Sequence, residues 1–367
     1  MKLRADYLKE SYTYEKSGVS VKKAKKAHNL IGELIKETFK LRKGELGGVV
    51  GDYGHYAGLI DIGNNNCLAL HADGVGTKVL IAQLMNKYDT IGIDLVAMNA
   101  NDLICMGAEP VCLVDYLAVE KIDEEMISEI IKGVVAGAKK ANMTIIGGET
   151  AIMPDVIKGA VEGKGFDLSA MSAGIVQKEK IITGEQIKAD DIIFGLESNG
   201  IHSNALTLAR KTYLEKAGLK ISDQFGDADH SIGEELLKPT EIYVGVVLDI
   251  IKSIDVHGLA HITGGAFSKL MRLSFKEIGF ELKSLPEPPL IFQDIKKIAN
   301  ISTEEAYRTF NMGIGFCIIT SSIHLKALEK ICKKHKINGK LIGKIIDKKG
   351  VFIKDPLDDP SAAFIQL

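Results

Sequence analysis

The sequence of 367 residues is poor in aromatic side chains and contains no tryptophan. Its five cysteines are scattered and form no Cys-x-x-Cys pair: they are Cys67, Cys105, Cys112, Cys317 and Cys332. This spacing predicts neither a disulfide framework nor a zinc ribbon, and it favours buried free thiols in a reducing cytosol. An excess of either charge is also lacking, because 46 Lys and Arg residues face 48 Asp and Glu residues. Such a balance argues against nucleic acid as a partner.

Long apolar runs are missing as well. No stretch reaches the roughly 18 apolar residues of a membrane-spanning helix, so no membrane partner is predicted. The first 19 residues lack the apolar segment of a secretory signal, and we therefore expect a cytoplasmic location. Two phosphate-binding fingerprints are absent too: the Gly-x-x-x-x-Gly-Lys-Ser/Thr loop, and a Gly-x-Gly-x-x-Gly turn after a first strand.

The chain does contain 46% hydrophobic residues, which is enough for two cores of ordinary domain size. Helical and alternating patterns are mixed throughout, so we predict the α/β (α+β) class with two domains, over 1–177 and 178–367. The predicted elements are helices over 21–42, 92–107, 123–141 (capped by Asp123), 240–253 and 322–335, and strands over 67–72, 111–119, 143–146, 168–177, 191–198, 258–262, 313–319 and 340–346. Glycine-rich 44–58 is predicted to be a loop, Pro-rich 285–290 a surface connection, and Ser203 the cap of a helix.

The hexapeptide DGVGTK (73–78) follows one of the predicted buried strands. Magnesium prefers oxygen ligands and is usually bound by one or two carboxylates together with substrate phosphates, so Asp73 is a candidate ligand. Gly74 and Gly76 would let the backbone approach a phosphate, and Lys78 would neutralise its charge. The alternative is a strand-ending turn with an exposed lysine.

The predicted helix over 92–107 carries polar residues among apolar ones. Asp94 and Asn101 are seven residues apart and share a face, and Asp102 lies beside them. An unpaired buried polar group costs about 1–3 kcal/mol, and metal ligation would remove that cost. The alternative is that Asp94 caps the helix while Asn101 and Asp102 form a hydrogen-bonded pair.

Further polar residues stand beside glycines at predicted strand ends. Glu149 follows a strand and two glycines, and it is a candidate metal ligand or general base. His202 lies at a predicted helix start, where free N–H groups attract anions and a histidine can move a proton near neutral pH. The alternative is that Ser203 merely caps the helix and His202 has no role. The remaining candidates are Thr263, Gly264 and Gly265 after one strand and Asn311 before another.

These motifs, in this order, resemble the aminoimidazole ribonucleotide synthetase family of purine biosynthesis. The resemblance covers nearly the whole chain and rests on YEKSGV (14–19), DGVGTK (73–78), DTIGIDLVAMNANDL (89–103), GAEP (107–110), IIGGETAIMP (145–154), SNGIHSNALTLAR (198–210), HITGG (261–265) and YRTFNMGIGF (307–316). The loop GHYAGLIDI (54–62) is similar to the variant seen in archaea. The sequence departs from the family at Ala205 and Ala266, where glycine is common.

The resemblance implies both a fold and a reaction. The N-terminal sheet domain would pair with that of a second subunit in a barrel-like homodimer core, and the C-terminal α/β domain would close a cleft over it. ATP and Mg²⁺ are the implied cofactors, and a need for K⁺ is left open. The expected reaction is the ATP-dependent cyclisation of formylglycinamidine ribonucleotide to 5-aminoimidazole ribonucleotide, with release of ADP and phosphate. ATP would phosphorylate the amide oxygen, and a nitrogen would attack the activated carbon as phosphate leaves.

The resemblance also implies roles for individual residues. Metal would be bound by Asp73 and Asp102. ATP and its phosphates would contact Gly54, His55, Gly74, Gly76, Thr77, Lys78 and Asp94, with the loop 51–58 folding over the nucleotide. The substrate would contact His202, Ser203, Asn204, Thr263, Gly264, Gly265 and Asn311. Catalytic roles would fall to Lys78, His202 and Glu149.

Related families with this fold provide alternatives, among them selenophosphate synthetase and thiamine-phosphate kinase. Selenophosphate synthetase uses a reactive Cys or selenocysteine near its N-terminus, whereas the first cysteine here is Cys67. A non-catalytic nucleotide-binding scaffold is a further class, but it would not need all of Asp73, Lys78, Asp102 and Glu149.

Overall fold

The computed structural model describes residues 11–13, 15–18, 21–274, 277–359 and 361–367. Each half of the chain builds one mixed β-sheet with helices, and the two halves pack against each other. The predicted two-domain α/β class is confirmed, while the boundary at 177/178 stays a prediction. Across the described ranges, no helix combines the length and the hydropathy needed to cross a membrane.

The first half contains helices α1 (Val21–Phe39), α2 (Lys78–Met85), α3 (Ile91–Ile104) and α4 (Glu124–Ala141), and strands β1 (Val49–Val50), β2 (Gly58–Gly63), β3 (Asn66–Gly74), β4 (Glu109–Val119), β5 (Thr144–Ile152) and β6 (Phe166–Gln177). The strand order is β1-β2-β3-β6-β4-β5, and every neighbouring pair is antiparallel except β4 and β5. Residues of β6 alternate between buried and more exposed, because α3 covers only one face of the sheet.

Helix α3 is surrounded by protein, and 13 of its 14 residues are buried or nearly so, the exception being Ile93. A helix that is buried all round must pack closely on its neighbours. A Cβ atom on Gly92 would lie 2.2 Å from the backbone nitrogen of Val134, so glycine is what allows α3 to approach α4. The predicted cap of α4 is confirmed, since Asp123 accepts a hydrogen bond from the backbone N–H of Met126 at 3.1 Å.

The second half contains β7 (Ile192–Glu197), α5 (Leu206–Lys211), α6 (Ile232–Leu237), α7 (Val244–Ser253), β8 (Gly258–His261), β9 (Gly279–Leu282), α8 (Leu290–Ala299), α9 (Thr303–Thr309), β10 (Ile314–Thr320), α10 (Leu325–His335), β11 (Gly339–Ile346), β12 (Gly350–Ile353) and β13 (Ile365–Gln366). Its strand order is β13-β12-β9-β11-β7-β10-β8. Only β12 and β9 are parallel neighbours. A 3₁₀ segment, Ala266–Leu273, follows β8.

Several sequence-based predictions need correction. Ser203 does not cap α5, which begins at Leu206 after a residue without a side-chain cap. The hydroxyl of Ser203 instead lies 3.4 Å from that of Thr240. The strand predicted over 143–146 continues to Ile152, so Glu149 lies within a strand and not after its end. Within the described ranges, nine elements of ten residues or fewer were missed because they show too few periods of any pattern: β1, β2, β9, β12, β13, α2, α6, α8 and α9. Of these, β1 lies inside the segment 44–58 that was predicted to be a loop.

The two alanines that replace a common family glycine both have left-handed backbone conformations, with φ of 58° at Ala205 and 43° at Ala266. This conformation costs a residue with a Cβ about 1–2 kcal/mol, and glycine loses part of the gain through its more flexible unfolded state. We expect Ala205→Gly and Ala266→Gly each to raise the free energy of unfolding by about 0.5–1 kcal/mol. Urea denaturation measures the change. The control Ala209→Gly, inside α5, should instead lower the free energy of unfolding by about 1 kcal/mol. Destabilisation at all three sites would contradict the left-handed backbone conformation of Ala205 and Ala266.

Candidate active site

Helix α3 presents polar side chains to the second half of the chain. Asp94 and Asn101 are completely buried. As their shared face predicts, both contact one segment, residues 238–243. Asn101 donates to the carbonyl oxygen of Glu241 at 2.8 Å and accepts from the backbone N–H of Tyr243 at 2.9 Å. The buried amide is therefore satisfied by protein backbone.

The two predicted metal ligands lie on either side of a histidine that the sequence reading did not select. Asp73 is near the end of β3, its side chain is 41% exposed, and its Oδ1 accepts from the N–H of Gly74 at 2.8 Å. Asp102 is almost buried, and its Oδ1 lies 2.7 Å from Nδ1 of His261. The Nε2 atom of His71 lies 3.6 Å from Oδ2 of Asp102 and 4.0 Å from Oδ2 of Asp73. Nε2 of His71 thus lies between the two carboxylates, and among the described residues it has no hydrogen-bond partner.

The surroundings of Asp102 keep its carboxylate ionised. Burial alone would raise the pKa of Asp102, but Lys269 and the two neighbouring histidines outweigh burial and lower the pKa to about 2. Burial lowers the pKa of His261, although the hydrogen bond to Asp102 opposes that shift. The site therefore presents an anionic carboxylate at neutral pH, which is the form that a metal ion binds.

The donor atoms fit magnesium in type. Carboxylate oxygens are what magnesium prefers, and it usually takes one or two of them together with waters and phosphate oxygens. Among the residues that the structure describes, no three or more His, Cys, Asp or Glu side chains are grouped so as to hold a metal ion by themselves. Two carboxylates are too few to hold a metal ion by themselves. Asp73 and Asp102 therefore suit a metal ion that is also bound by the phosphates of a nucleotide.

Lys78 is the first residue of α2 and is completely buried, which excludes the alternative of an exposed lysine. Its Nζ lies 2.8 Å from both carboxylate oxygens of Asp94 and 2.6 Å from the carbonyl oxygen of Lys238. Oδ1 of Asp94 also accepts from the backbone N–H and the hydroxyl of Thr240, at 2.7 and 2.6 Å. Burial lowers the pKa of Lys78, and the charge of Asp94 opposes that shift.

The rest of the hexapeptide forms the turn from β3 to α2. Gly74 ends β3, and Gly76 has a left-handed backbone with φ of 60°. The hydroxyl of Thr77 lies 2.9 Å from that of Thr207 in α5. This turn, like α3, is therefore in contact with the second half of the chain.

His202 is completely buried, with φ of 62°. Its Nε2 lies 3.0 Å from Oδ1 of Asn199. Within the described part of the structure, Nδ1 of His202 and the amide nitrogen of Asn204 have no hydrogen-bond partner. An unpaired buried polar atom costs about 1–3 kcal/mol, so two of them on one loop favour a site that a ligand completes.

Burial lowers the pKa of His202 well below the usual value, and the charges of His261 and Lys78 act in the same direction. The unfolded chain then binds a proton that the folded protein does not, so this contribution to stability is complete above about pH 6.5 and is lost as the pH falls below it. Below about pH 6, the slope of unfolding free energy against pH should be about 1.4 kcal/mol per unit smaller in His202→Asn. Urea denaturation at pH 7, 6 and 5 measures it; equal slopes would contradict the shift.

The loop 51–58 is docked onto the second half. The Nε2 atom of His55 lies 3.1 Å from the carbonyl oxygen of Thr183, and the neighbouring Gly54 has φ of 109°. Tyr56 is only 2% exposed. Its ring centroid lies 5.6 Å from the Lys269 ammonium and 5.5 Å from the Arg272 guanidinium.

A cavity of about 690 Å³ lies beside this loop and not at the carboxylates. It is lined by residues 50–55 of the loop, 178–186 between the two sheets and 254–257 of the second half. Neither Asp73 nor Asp102 lines it. In this conformation of the loop, the cavity and the carboxylates are separate features.

The turn 263–265 and Asn311 support the loop that carries His202. Asn311 donates to the carbonyl oxygen of Gly200 and accepts from the hydroxyl of Ser198, both at 2.9 Å. A Cβ atom on the middle glycine of the turn would lie 3.4 Å from Oδ1 of Asn204, so the turn and the loop adjoin. The candidate substrate residues therefore come together, with Asn311 holding the backbone of the loop.

Glu149 is exposed and lies far from the other candidates of its own chain. The register pairs Asp73 with Ala170 and Ala170 with Asp115. Asp115 pairs in turn with Gly148, next to Glu149. Three strand spacings amount to about 14 Å, which is too far for Glu149 and Asp73 of one chain to share an ion.

Sequence reasoning missed His71, Thr240, Lys269 and Arg272. For His71 a signal existed, because it lies two residues before Asp73 and alternate residues of a strand share a face. For the others there was none, since their contacts join distant parts of the chain; Thr240 and Asp94, for example, are 146 positions apart.

Two family models match this chain. The model described as "AIR synthase related protein, N-terminal domain" matches residues 54–176, and the corresponding C-terminal domain model matches 188–355. The chain belongs to the AIR synthase related family.

Within this family, the chain is similar to archaeal proteins named phosphoribosylformylglycinamidine cyclo-ligase. The one from Methanobrevibacter smithii is 45% identical over 343 residues, covering 93% of this chain and 97% of the relative. The one from Methanocaldococcus jannaschii is 46% identical over 338 residues, covering 91% and 92%. The resemblance inferred from the motifs is confirmed. The crystal structure of thiamine-monophosphate kinase from Stenotrophomonas maltophilia has a TM-score of 0.59 at 20% identity, covering 87% and 95%, and shares the fold.

Proposed function

We propose that the protein is an ATP-dependent cyclo-ligase of purine biosynthesis. It converts formylglycinamidine ribonucleotide to 5-aminoimidazole ribonucleotide and releases ADP and phosphate. The observation that carries this proposal is the 45% identity to a cyclo-ligase over 93% of the chain, which includes both sheets and the interface between them. All five cysteines are free, which suits an enzyme of the reducing cytoplasm.

In this proposal Asp73 and Asp102 face the phosphates of ATP and would hold Mg²⁺. When bound, Mg²⁺ offsets negative charge on the phosphoryl group, for which positioning and electrostatics provide most of the catalysis. His261 orients the carboxylate of Asp102 through a hydrogen bond, and the charges of Lys269, His261 and His71 keep it ionised. The N–H groups of Gly74 and Val75 donate to Asp73 and Leu168, so the turn would offer the backbone N–H groups of Gly76 and Thr77 to the phosphates, and the loop with Gly54 and His55 would cover the nucleotide.

The substrate binds between the loop 200–204 and the turn 263–265. The unpaired Nδ1 of His202 and the amide nitrogen of Asn204 are the contacts that support this placement. Nε2 of His202 lies 3.0 Å from the amide oxygen of Asn199, which can only accept, so Nε2 carries the hydrogen and the unpaired Nδ1 is left to accept a proton. We assign it the proton that leaves the attacking nitrogen as the ring C–N bond forms.

The protein acts as a homodimer in this proposal. β5 is an edge strand, and the outer face of its sheet exposes large apolar side chains: Tyr116, Ile146, Met171 and Ile175. Exposed edges and apolar faces of this size are normally covered. A second copy would cover them and form the barrel-like core. Glu149 pairs in register with Tyr116 on that outer face, so we infer that it acts in the partner's site, as ligand or base.

The proposal is tested by measuring ADP release with and without formylglycinamidine ribonucleotide, together with formation of the aminoimidazole product. We expect ADP to appear only with the substrate, and in equal amount to the product. Omitting Mg²⁺ or K⁺ in parallel tests the metal requirement. Substrate-independent ADP release would contradict the cyclo-ligase and favour a selenophosphate synthetase-like or thiamine-phosphate kinase-like enzyme. No ADP release would favour a nucleotide-binding scaffold.

A further inference from the structure

We propose that Lys78, Asp94 and Thr240 form a buried positioning cluster, which fixes the loop 200–204 over the first sheet and does not contact phosphate. The proposal rests on the proposed function for its effect on turnover. The structural claim, that the cluster fixes the loop 200–204, is independent of which reaction the enzyme catalyses.

The charge of Lys78 and two of its three N–H donors are already used. Nζ of Lys78 donates to Oδ1 of Asp94 and to the carbonyl oxygen of Lys238, while Oδ2 of Asp94 lies 2.8 Å away as part of the ion pair without a hydrogen bond of its own among the described residues. Lys78 and Asp94 are both 0% exposed. A phosphate could reach Lys78 only by breaking a buried ion pair, and the carboxylate left behind would be buried without its cation.

The cluster joins the two halves through the segment 238–243. Asp94 holds the backbone N–H and the hydroxyl of Thr240. Seven residues further along α3, Asn101 holds the backbone of Glu241 and Tyr243. Two side chains on one face of one helix therefore fix residues 240–243, and Lys78 holds the carbonyl oxygen of Lys238 at the start of the segment.

The other side of the segment supports the loop with the candidate substrate residues. The hydroxyl of Thr240 lies 3.4 Å from that of Ser203. Tyr243 donates from its hydroxyl to the carbonyl oxygen of Glu197, where β7 leads into the loop, and its ring centroid lies 6.5 Å from that of His202. A change at Asp94 or Lys78 is thus passed to His202 and Ser203 through residues 240 and 243.

Substitutions of Thr240 test the cluster without leaving a buried charge unpaired. Thr240→Val removes the hydroxyl and keeps the shape and the backbone N–H; Thr240→Ser restores the hydroxyl. The control is Thr212→Val, since Thr212 is equally buried and its hydroxyl has no partner within the described residues. We expect Thr240→Val to lower kcat by about 10- to 100-fold with the KM for ATP changed by less than about twofold. Thr240→Ser should recover most of the rate, and Thr212→Val should match the wild type.

A double-mutant cycle then separates positioning from phosphate contact. If Lys78 acts through Thr240, the losses in kcat of Lys78→Met and Thr240→Val overlap and the double variant is little worse than Lys78→Met. If Lys78 contacts phosphate, the two losses multiply and the KM for ATP rises in Lys78→Met, which overturns the proposal. If Lys78→Met does not fold, the Thr240 variants alone test the proposal. A Thr240→Val enzyme that is as active as Thr212→Val then overturns the positioning role of the cluster.

Hydrogen exchange of residues 198–204 provides a readout that needs no turnover. Exchange there should be faster in Thr240→Val than in Thr212→Val, because the loop loses one of its supports. Equal exchange would overturn the positioning role even in an active enzyme. A wild type that does not cyclise the substrate would refute the proposed function and leave this comparison intact.

Discussion

Asp73→Asn is expected to abolish ATP-dependent cyclisation while the fold remains intact. The substitution keeps the shape of the side chain and removes the negative charge that would hold Mg²⁺ on the phosphates. Loss of one such electrostatic contact typically lowers kcat by about 100- to 1000-fold. Because the side chain is 41% exposed, its charge contributes little to packing. Steady-state ADP release and thermal unfolding of the same preparation measure both effects.

The chain offers a matched control for this variant in Asp167. That residue is also an exposed strand aspartate whose Oδ1 accepts a hydrogen bond from the next backbone N–H, at 3.0 Å to Leu168. Asp167→Asn should therefore leave both turnover and stability unchanged. Retained cyclisation in Asp73→Asn, or an equal loss in the two variants, would contradict the metal-binding role.

Two inactive variants should restore activity when they are mixed in one dimer. Asp73→Asn and Glu149→Gln each remove one residue from what we propose to be a site shared between subunits. In a mixed dimer, one of the two sites then carries both substitutions and the other carries none. Random assembly makes half of the dimers mixed, so co-expression should yield about a quarter of the wild-type activity. Activity per dimer is measured after separating the mixed species through two different affinity tags.

The control for this experiment pairs Asp73→Asn with Asp102→Asn. Both residues belong to the same site of the same chain, so every site in a mixed dimer lacks one of them and no activity should return. If the pair with Glu149→Gln also fails to recover, Glu149 does not act across the interface.

Much of the fold was predictable because long elements repeat their pattern several times. The 18 residues of α4 and the 12 residues of β6 carry enough periods to be recognised in isolation. Short elements such as β9 and α6 do not, and their conformation depends on neighbours that are distant in sequence. The strand end predicted at residue 146 was wrong because the parallel partner β4 extends the pairing through Gly147 and Gly148 to Ile152.

The site was predictable as a set of residue types, but not as a set of contacts. Asp73, Asp102 and His202 stand out in the sequence as polar groups in apolar surroundings or beside glycines. For His71 the local signal was its position two residues before Asp73 in a strand, whereas nothing local indicates that Lys78 is neutralised by Asp94. The sequence shows that Ala205 and Ala266 replace a common family glycine. It does not show that both residues have a left-handed backbone conformation.

By itself, the sequence determined the class of the protein and its chemistry, since ordered motifs and periodic apolar residues are properties of the chain alone. The tertiary structure decided which charges face each other. Asp94, Asn101 and Asp102 are neighbours on one helix, yet Asp94 meets an ammonium and a hydroxyl, Asn101 meets backbone, and Asp102 meets two histidines. Buried polar groups need partners, and Thr240, Tyr243 and His261 come from segments about 150 residues away that only folding brings to α3.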